Sequence, residues 1–210
     1  MFMGLAALSA CNEPEPLPPP PPPPVVVVAP VYVPRAPLPP LGASATMAIP
    51  TVRGDGLRQT VNRDLGPLET LWHVRSGFNV AALNCQGAKY QSITTNYNLF
   101  LKRHKSALRN ANNAINRKFR RENGGTYRTV RDRHLTSVYN FFSFPPLKTQ
   151  YCDKMLTVGK EIANSKSKDI KAFAGRELPK MEKIFVDFYV AYEEYQKKLE
   201  AWRAKYGKSS

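Results

Sequence analysis

The chain has 210 residues, which corresponds to one domain or to one domain with tails. Apolar residues make up 42% of it, which is enough for a core and argues against disorder throughout. No apolar run reaches the roughly 18 residues of a bilayer-spanning helix, so the sequence excludes a multi-pass membrane protein. The formal net charge of +15 indicates an anionic partner.

Charge and proline content divide the chain into two parts. Residues 1–50 hold 15 of the 19 prolines and carry a net charge of −1. Residues 51–210 hold 30 Lys and Arg against 14 Asp and Glu, a net charge of +16. The sequence therefore predicts a proline-rich arm followed by a basic domain.

The N-terminus ends a short apolar stretch with Leu8-Ser9-Ala10-Cys11. This stretch resembles the lipobox of bacterial lipoproteins, in which small residues before the Cys allow cleavage by a signal peptidase. The resemblance implies that residues 1–11 are a signal peptide ending at Cys11, which becomes lipidated. No Lys or Arg precedes the stretch, so we expect the natural translation start to lie upstream. The alternative is a cytosolic protein with an apolar N-terminus.

The residue after the Cys bears on the membrane to which such a lipoprotein goes. In enteric bacteria an Asp at that position favours retention in the inner membrane, and here the residue is Asn12. We therefore expect an envelope protein of a Gram-negative bacterium. It would be lipid-anchored and periplasm-facing, with the outer membrane favoured over the inner.

Residues 12–65 are predicted to be a disordered, proline-rich linker. Residues 18–24 are seven consecutive prolines, which cannot form a helix or a central strand and favour extended polyproline II. At about 3.1 Å per residue, the segment 12–50 reaches at most about 120 Å. A ligand for an SH3-like groove is the alternative. However, Leu38 occupies the position three residues after Arg35 where that motif has proline.

Residues 66–207 are predicted to form an all-α, antiparallel bundle of about five helices. Apolar residues recur every three or four positions, and no segment shows sustained period-two alternation. The predicted helices are 67–85, one of about thirty residues from 93 to the Gly124-Gly125 pair, 127–142, 147–164, and a last one from about 169 that Pro179 breaks or kinks. Aromatic residues along the last helix indicate core packing rather than a carbohydrate platform.

The three cysteines fit an oxidising compartment. If Cys11 carries lipid, Cys85 and Cys152 remain as one pair, as expected for an exported protein. No CxxC, CxxCH or Cys/His cluster at zinc spacing is present, so the sequence favours neither a redox enzyme nor a zinc module.

The most distinctive segment, residues 102–133, is the basic hairpin. Eleven cations stand there against Glu122 and Asp132, which we interpret as salt-bridge partners, and the net charge is +9. Eight of the eleven are Arg, which binds phosphate through two hydrogen bonds. The predicted anion-binding residues are Lys102, Arg103, Lys105, Arg109, Arg117, Lys118, Arg120, Arg121, Arg128, Arg131 and Arg133. A solvated face without a partner is the alternative.

No enzyme motif is recognisable. The chain has no Gly-rich phosphate loop, no GxSxG and no HExxH, and we expect neither cofactor, metal nor catalytic residues. His104 and His134 lie on neighbouring predicted helices, where a shared metal or acid–base site is possible but core packing is the more usual role.

The phrases Trp72-His73-Val74-Arg75-Ser76-Gly77, Tyr97-Asn98 and Tyr139-Asn140-Phe141-Phe142 resemble an uncharacterised group of alphaproteobacterial envelope proteins, over about residues 68–155. This resemblance implies no activity. We expect a non-enzymatic, lipid-anchored envelope protein whose basic hairpin binds anionic lipid or polysaccharide. The alternatives are a nucleic-acid-binding protein and, third, an enzyme of unknown reaction.

Overall fold

The computed structural model describes residues 32–165, 168 and 170–207. These residues form six α-helices and no strand, apart from one isolated bridge between Val52 and Arg58. The helices are α1 (Pro67–Asn84), α2 (Gln91–Arg103), α3 (Lys105–Asn123), α4 (Tyr127–Phe142), α5 (Lys148–Asn164) and α6 (Ile170–Tyr206). The prediction of an all-α bundle is confirmed.

Helix α1 is the centre of the bundle and packs against each of the other five helices. Pro67 opens it, where a missing N–H costs nothing, and the Glu69 carboxylate accepts a hydrogen bond from the Gly66 N–H at 3.2 Å. Because α1 is covered on several sides, polar His73 and Ser76 are buried together with its apolar residues. A helix at the centre of a bundle buries more than a single narrow stripe.

The predicted thirty-residue second helix is instead two helices, α2 and α3, and the sequence prediction is wrong there. They meet at His104, whose φ of −111° and ψ of 22° are not helical. The hydrogen bonding continues across the bend, because the His104 N–H bonds the Phe100 carbonyl and the His104 carbonyl accepts from Leu108. The bend leaves the three-and-four spacing of apolar residues intact, so the periodicity does not reveal it.

Helix α6 runs for 37 residues without a break at Pro179. Proline removes the hydrogen bond to the carbonyl four residues earlier, here that of Gly175, and both residues are exposed on the outer side of the helix. Water can therefore solvate that carbonyl. Core packing of the aromatic residues of α6 is confirmed, since Phe185, Phe188 and Tyr192 are all buried.

The predicted disordered linker ends well before residue 65, because the segment 43–65 packs against the bundle. Ala43 is buried, and the Tyr192 hydroxyl on α6 donates to the Ser44 carbonyl at 2.7 Å and accepts from the Met47 N–H at 3.0 Å. The prediction is wrong for this segment. The segment forms neither an α-helix nor a named strand, but long-range side-chain contacts still fix this irregular chain in place.

Polar side chains hold the later part of the same segment. Arg58 is buried and donates two hydrogen bonds to the Glu193 carboxylate, at 2.8 and 3.3 Å. The Thr60 hydroxyl donates to the Glu182 carboxylate, and Thr60 and Glu182 are both buried. The buried Arg58, Thr60 and Glu182 are thus all hydrogen-bonded, which is the condition under which burying polar groups costs little.

The lipobox residue Cys11 and the seven consecutive prolines lie outside the described residues. Among the helices that the structure does describe, none combines the length and the apolar character needed to cross a bilayer.

The remaining two cysteines link the end of α1 covalently to α5. Cys85 follows the C-terminus of α1 and Cys152 lies on α5, with their Cα atoms 5.5 Å apart and their sulfur atoms at bonding distance. Both side chains are buried. The expected Cys85–Cys152 disulfide is therefore formed in this structure.

Candidate anion-binding groove

Two of the eleven predicted anion-binding residues bond groups on other helices of the bundle. The Arg103 guanidinium donates to the carbonyl of Ala163 near the end of α5, where a cation also complements the helix dipole. The Lys118 ammonium lies 2.6 Å from the Glu69 carboxylate on the first turn of α1. These contacts stabilise helix packing and leave the two residues less available to a ligand.

Three more cations lie at the tip of the basic hairpin, where α3 passes into α4. The guanidinium groups of Arg120 and Arg128 lie 5.0 and 5.7 Å from the Tyr127 ring centre, and both donate to its hydroxyl. The hydrogen bonds from Arg128 and then Arg120 lower the pKa of Tyr127. Arg121 pairs with Glu122 at 3.7 Å, as the sequence predicts.

Four of the predicted residues line one open groove of about 710 Å³ between α1, α2, α3 and α4. Lys102, Lys105 and Arg109 reach it from the α2–α3 side, where spacings of three and four place them on one face. Arg131 reaches it from α4. Arg117 and Arg133, the remaining two of the eleven, are exposed and do not line this groove.

A fifth cation in the groove, Arg75, comes from α1 and lies outside the predicted set. Its guanidinium lies 4.9 Å from the Trp72 ring centre and donates to the Tyr139 hydroxyl on α4 at 2.7 Å. The one signal in the sequence is the i,i+3 spacing of Trp72 and Arg75 on a predicted helix. That spacing alone could not show that α1 passes beside the basic hairpin.

Arg131 is held in place by residues from two helices. Its Nη2 donates to Asn112 Oδ1 on α3 at 3.2 Å, and its Nη1 lies 3.0 Å from the neighbouring Asp132 carboxylate, the second predicted salt-bridge partner. Arg75 and Arg131 are therefore positioned before any ligand arrives, which reduces the entropy lost on binding. Lys102, Lys105 and Arg109 have no acidic partner within 4 Å among the described residues.

The groove is rich in hydrogen-bond donors and has an apolar side. None of the nine residues that line it is acidic, and the covered N–H groups at Trp72 Nε1 and Arg131 Nε have no acceptor among the described residues. Its apolar side is formed by the partly exposed Trp72 and Leu101, beside Leu108, which is buried. Chemically, such a groove can bind an anion and cover an apolar group attached to it.

The histidines do not form the site considered from the sequence. His134 Nε2 lies 3.3 Å from Nε2 of His73 rather than near His104, and His73 Nδ1 bonds Asn62 Oδ1 at 2.9 Å. His104 packs beside the ring of Phe100. Within the described part of the chain, no three His, Cys, Asp or Glu side chains are grouped as a metal site requires.

Comparison of the chain with protein-family models, with curated proteins and with solved structures finds no match.

Proposed function

We propose that this chain is a lipid-anchored protein of a Gram-negative cell envelope, whose helical domain binds an anionic envelope component. Cys11 would carry the lipid after cleavage of residues 1–11. The partner would be an anionic lipid or polysaccharide. The proposed role is structural or binding, and it involves no catalysis.

The observation that carries this proposal is the groove with five cations, no acidic residue and helix-bridging contacts that orient Arg75 and Arg131. A solvated basic face would need no such convergence of residues from α1, α2, α3 and α4. Five cationic side chains with no acidic residue among the residues lining the groove create a positive potential that attracts an anion. The disulfide also agrees with an oxidising compartment.

Two measurements test the anchoring half of the proposal. Cell fractionation with a radiolabelled fatty acid should place label on the native protein in the membrane fraction. Mass spectrometry should find Cys11 as the lipidated first residue. A native protein that retains residues 1–11 with an unmodified Cys11 overturns the anchoring half.

The binding half is tested with the full chain and vesicles of stated composition. We expect binding to phosphatidylglycerol vesicles that weakens steeply with salt, and none to phosphatidylcholine vesicles. Equal, negligible binding to both overturns the proposal that the domain binds anionic lipid. Tighter binding to duplex DNA than to anionic vesicles, at the same salt concentration, would favour a nucleic-acid-binding protein instead.

A further inference from the structure

The groove differs from the tip of the basic hairpin in which parts of the chain supply its cationic side chains. At the hairpin tip, Arg120 and Arg128 bond the Tyr127 hydroxyl, and all three residues lie within one short stretch of chain. In the groove, residues far apart in sequence converge on one concavity, and Arg75 is 56 positions before Arg131. The groove therefore has the geometry of a discrete site, whereas the tip is a locally basic surface.

The cations of the groove are of two kinds. Arg75 and Arg131 are fixed by Tyr139 and Asn112, at 2.7 and 3.2 Å. Lys102, Lys105 and Arg109 are exposed and lack an acidic partner among the described residues. Fixed guanidinium groups give an anion a defined position, while free side chains close on it from the outside. This division favours a compact, multiply charged group such as a phosphate monoester over a polymer with evenly spaced charges.

The groove also offers an apolar surface directly beside these cations. The partly exposed Trp72 and Leu101 provide it, and the Trp72 ring carries Arg75 on one face. Free inorganic phosphate uses none of this surface. A phosphate that carries an acyl chain or another apolar substituent buries it, and each buried CH₂ contributes about 0.8 kcal/mol.

From this arrangement we infer that the groove is a stoichiometric binding site for a single phosphorylated amphiphile, with its phosphate among Arg75, Arg109 and Arg131 and its apolar part against Trp72 and Leu101. This inference rests on the proposed function and names the ligand class of the same domain. It adds Arg75 and Trp72 to the residues that recognise the ligand.

Trp72 provides a direct readout, because the chain has only two tryptophans. In the Trp202→Phe background of the full chain, fluorescence reports on the groove alone. Titration with dihexanoyl phosphatidic acid, kept below its micelle concentration, should give a saturable change with one site per chain. Inorganic phosphate should bind at least about tenfold more weakly, and dihexanoyl phosphatidylcholine should cause no saturable change.

Two double variants, each of which loses two positive charges, distinguish binding in the groove from attraction to the overall positive charge of the domain. The groove variant is Lys105→Gln with Arg109→Gln. The matched control is Arg117→Gln with Arg133→Gln, on exposed residues of α3 and α4 that do not line the groove. We expect the groove variant to lose affinity for the phosphatidic acid at least about tenfold and the control at most about threefold. Circular dichroism establishes that both variants keep the helical fold.

The outcomes distinguish this inference from the proposed function. Equal loss in the two variants, or equal affinity for phosphatidic acid and inorganic phosphate, overturns the discrete site while the vesicle binding remains. No saturable fluorescence change with any of these probes, together with normal binding to phosphatidylglycerol vesicles, overturns it as well. Absence of vesicle binding by the wild-type chain instead overturns the part of the proposed function in which the domain binds anionic lipid.

Discussion

The Nε2 atoms of His73 and His134 lie 3.3 Å apart inside the bundle, with His73 completely buried. Asn62 Oδ1 accepts a hydrogen bond from Nδ1 of His73, which leaves Nε2 of His73 to accept the hydrogen bond from His134. This pair needs a neutral His73 ring and a proton on Nε2 of His134. Burial, followed by the nearby His134 and Lys118, lowers the pKa of His73 to about 3.

We therefore expect the protein to lose stability in mild acid. The pKa of His73 is lower in the folded than in the unfolded chain, so the unfolded chain binds more protons between pH 6.5 and about 3. The free energy of unfolding therefore has its full value above pH 6.5 and falls as the pH drops through this window. At pH 5 the protonation of His73 alone lowers it by about 2 kcal/mol. Burial lowers the pKa of His134 and His104 in the same direction.

Urea unfolding at pH 7 and pH 5 measures this loss. The variant His73→Gln removes the titrating group and should flatten the pH dependence, whatever its stability at pH 7. A variant that keeps the wild-type difference between the two pH values would show that other groups cause the acid sensitivity.

Gly77 on α1 is expected to tolerate no side chain. A Cβ there would lie 2.5 Å from Met181 Cε, 2.7 Å from the Tyr151 hydroxyl and 3.1 Å from Phe142 Cζ. Overpacking of this kind costs about 1 to 3 kcal/mol, so Gly77→Ala should lower the free energy of unfolding by that amount. Gly175→Ala is the control, because a Cβ there meets nothing within 4 Å and alanine favours the exposed helix by about 1 kcal/mol. Equal effects of the two substitutions would contradict the close approach at Gly77.

Two buried tyrosines should respond oppositely to loss of their hydroxyl groups. The Tyr151 hydroxyl has no hydrogen-bond partner among the described residues, so Tyr151→Phe should leave stability unchanged or raise it by about 1 kcal/mol. The Tyr192 hydroxyl bonds Ser44 and Met47, so Tyr192→Phe should cost about 1 to 3 kcal/mol. Thermal unfolding of both variants measures the difference. A neutral Tyr192→Phe would show that the two hydrogen bonds of this hydroxyl contribute little to the stability of the bundle.

The Cys85–Cys152 bond should make a large contribution to stability. It joins residues 67 positions apart, and a loop of that length corresponds to about 4 kcal/mol in the chain-entropy model. Urea unfolding with and without a reductant should therefore show a lower midpoint in the reduced protein. The double variant Cys85→Ser with Cys152→Ser, which should be insensitive to the reductant, is the control. Identical midpoints for the oxidised and reduced wild-type protein would contradict this expectation.

Helix bounds were the part of the fold that could be predicted most closely, because apolar spacing and end signals act locally. Pro67 and the residues Phe144-Pro145-Pro146 mark a helix start and a helix end in the sequence itself. The bend at His104 is different, since backbone angles change there without any change in apolar spacing. The spacing of apolar residues therefore gives no signal of such a bend.

The groove could be predicted only in part, for a related reason. Four of its cations belong to a recognisable charge run, but Arg75 joins them through the packing of α1 beside α3 and α4. The order of the segment 43–65 has the same origin, because its partners on α6 lie 122 to 148 positions away in the chain. Sequence composition describes a segment by itself and contains no information on distant partners.

The disulfide has a topological consequence for the basic hairpin. The bond closes a covalent ring of chain from Cys85 to Cys152, and α2, α3 and α4, with all eleven hairpin cations, lie on that ring. Proteolytic cleavage at one point of the ring opens it without separating the chain into two molecules. In the proposed envelope location, a single nick in the hairpin would therefore leave the groove residues tethered to α1 and to the proposed lipid at Cys11.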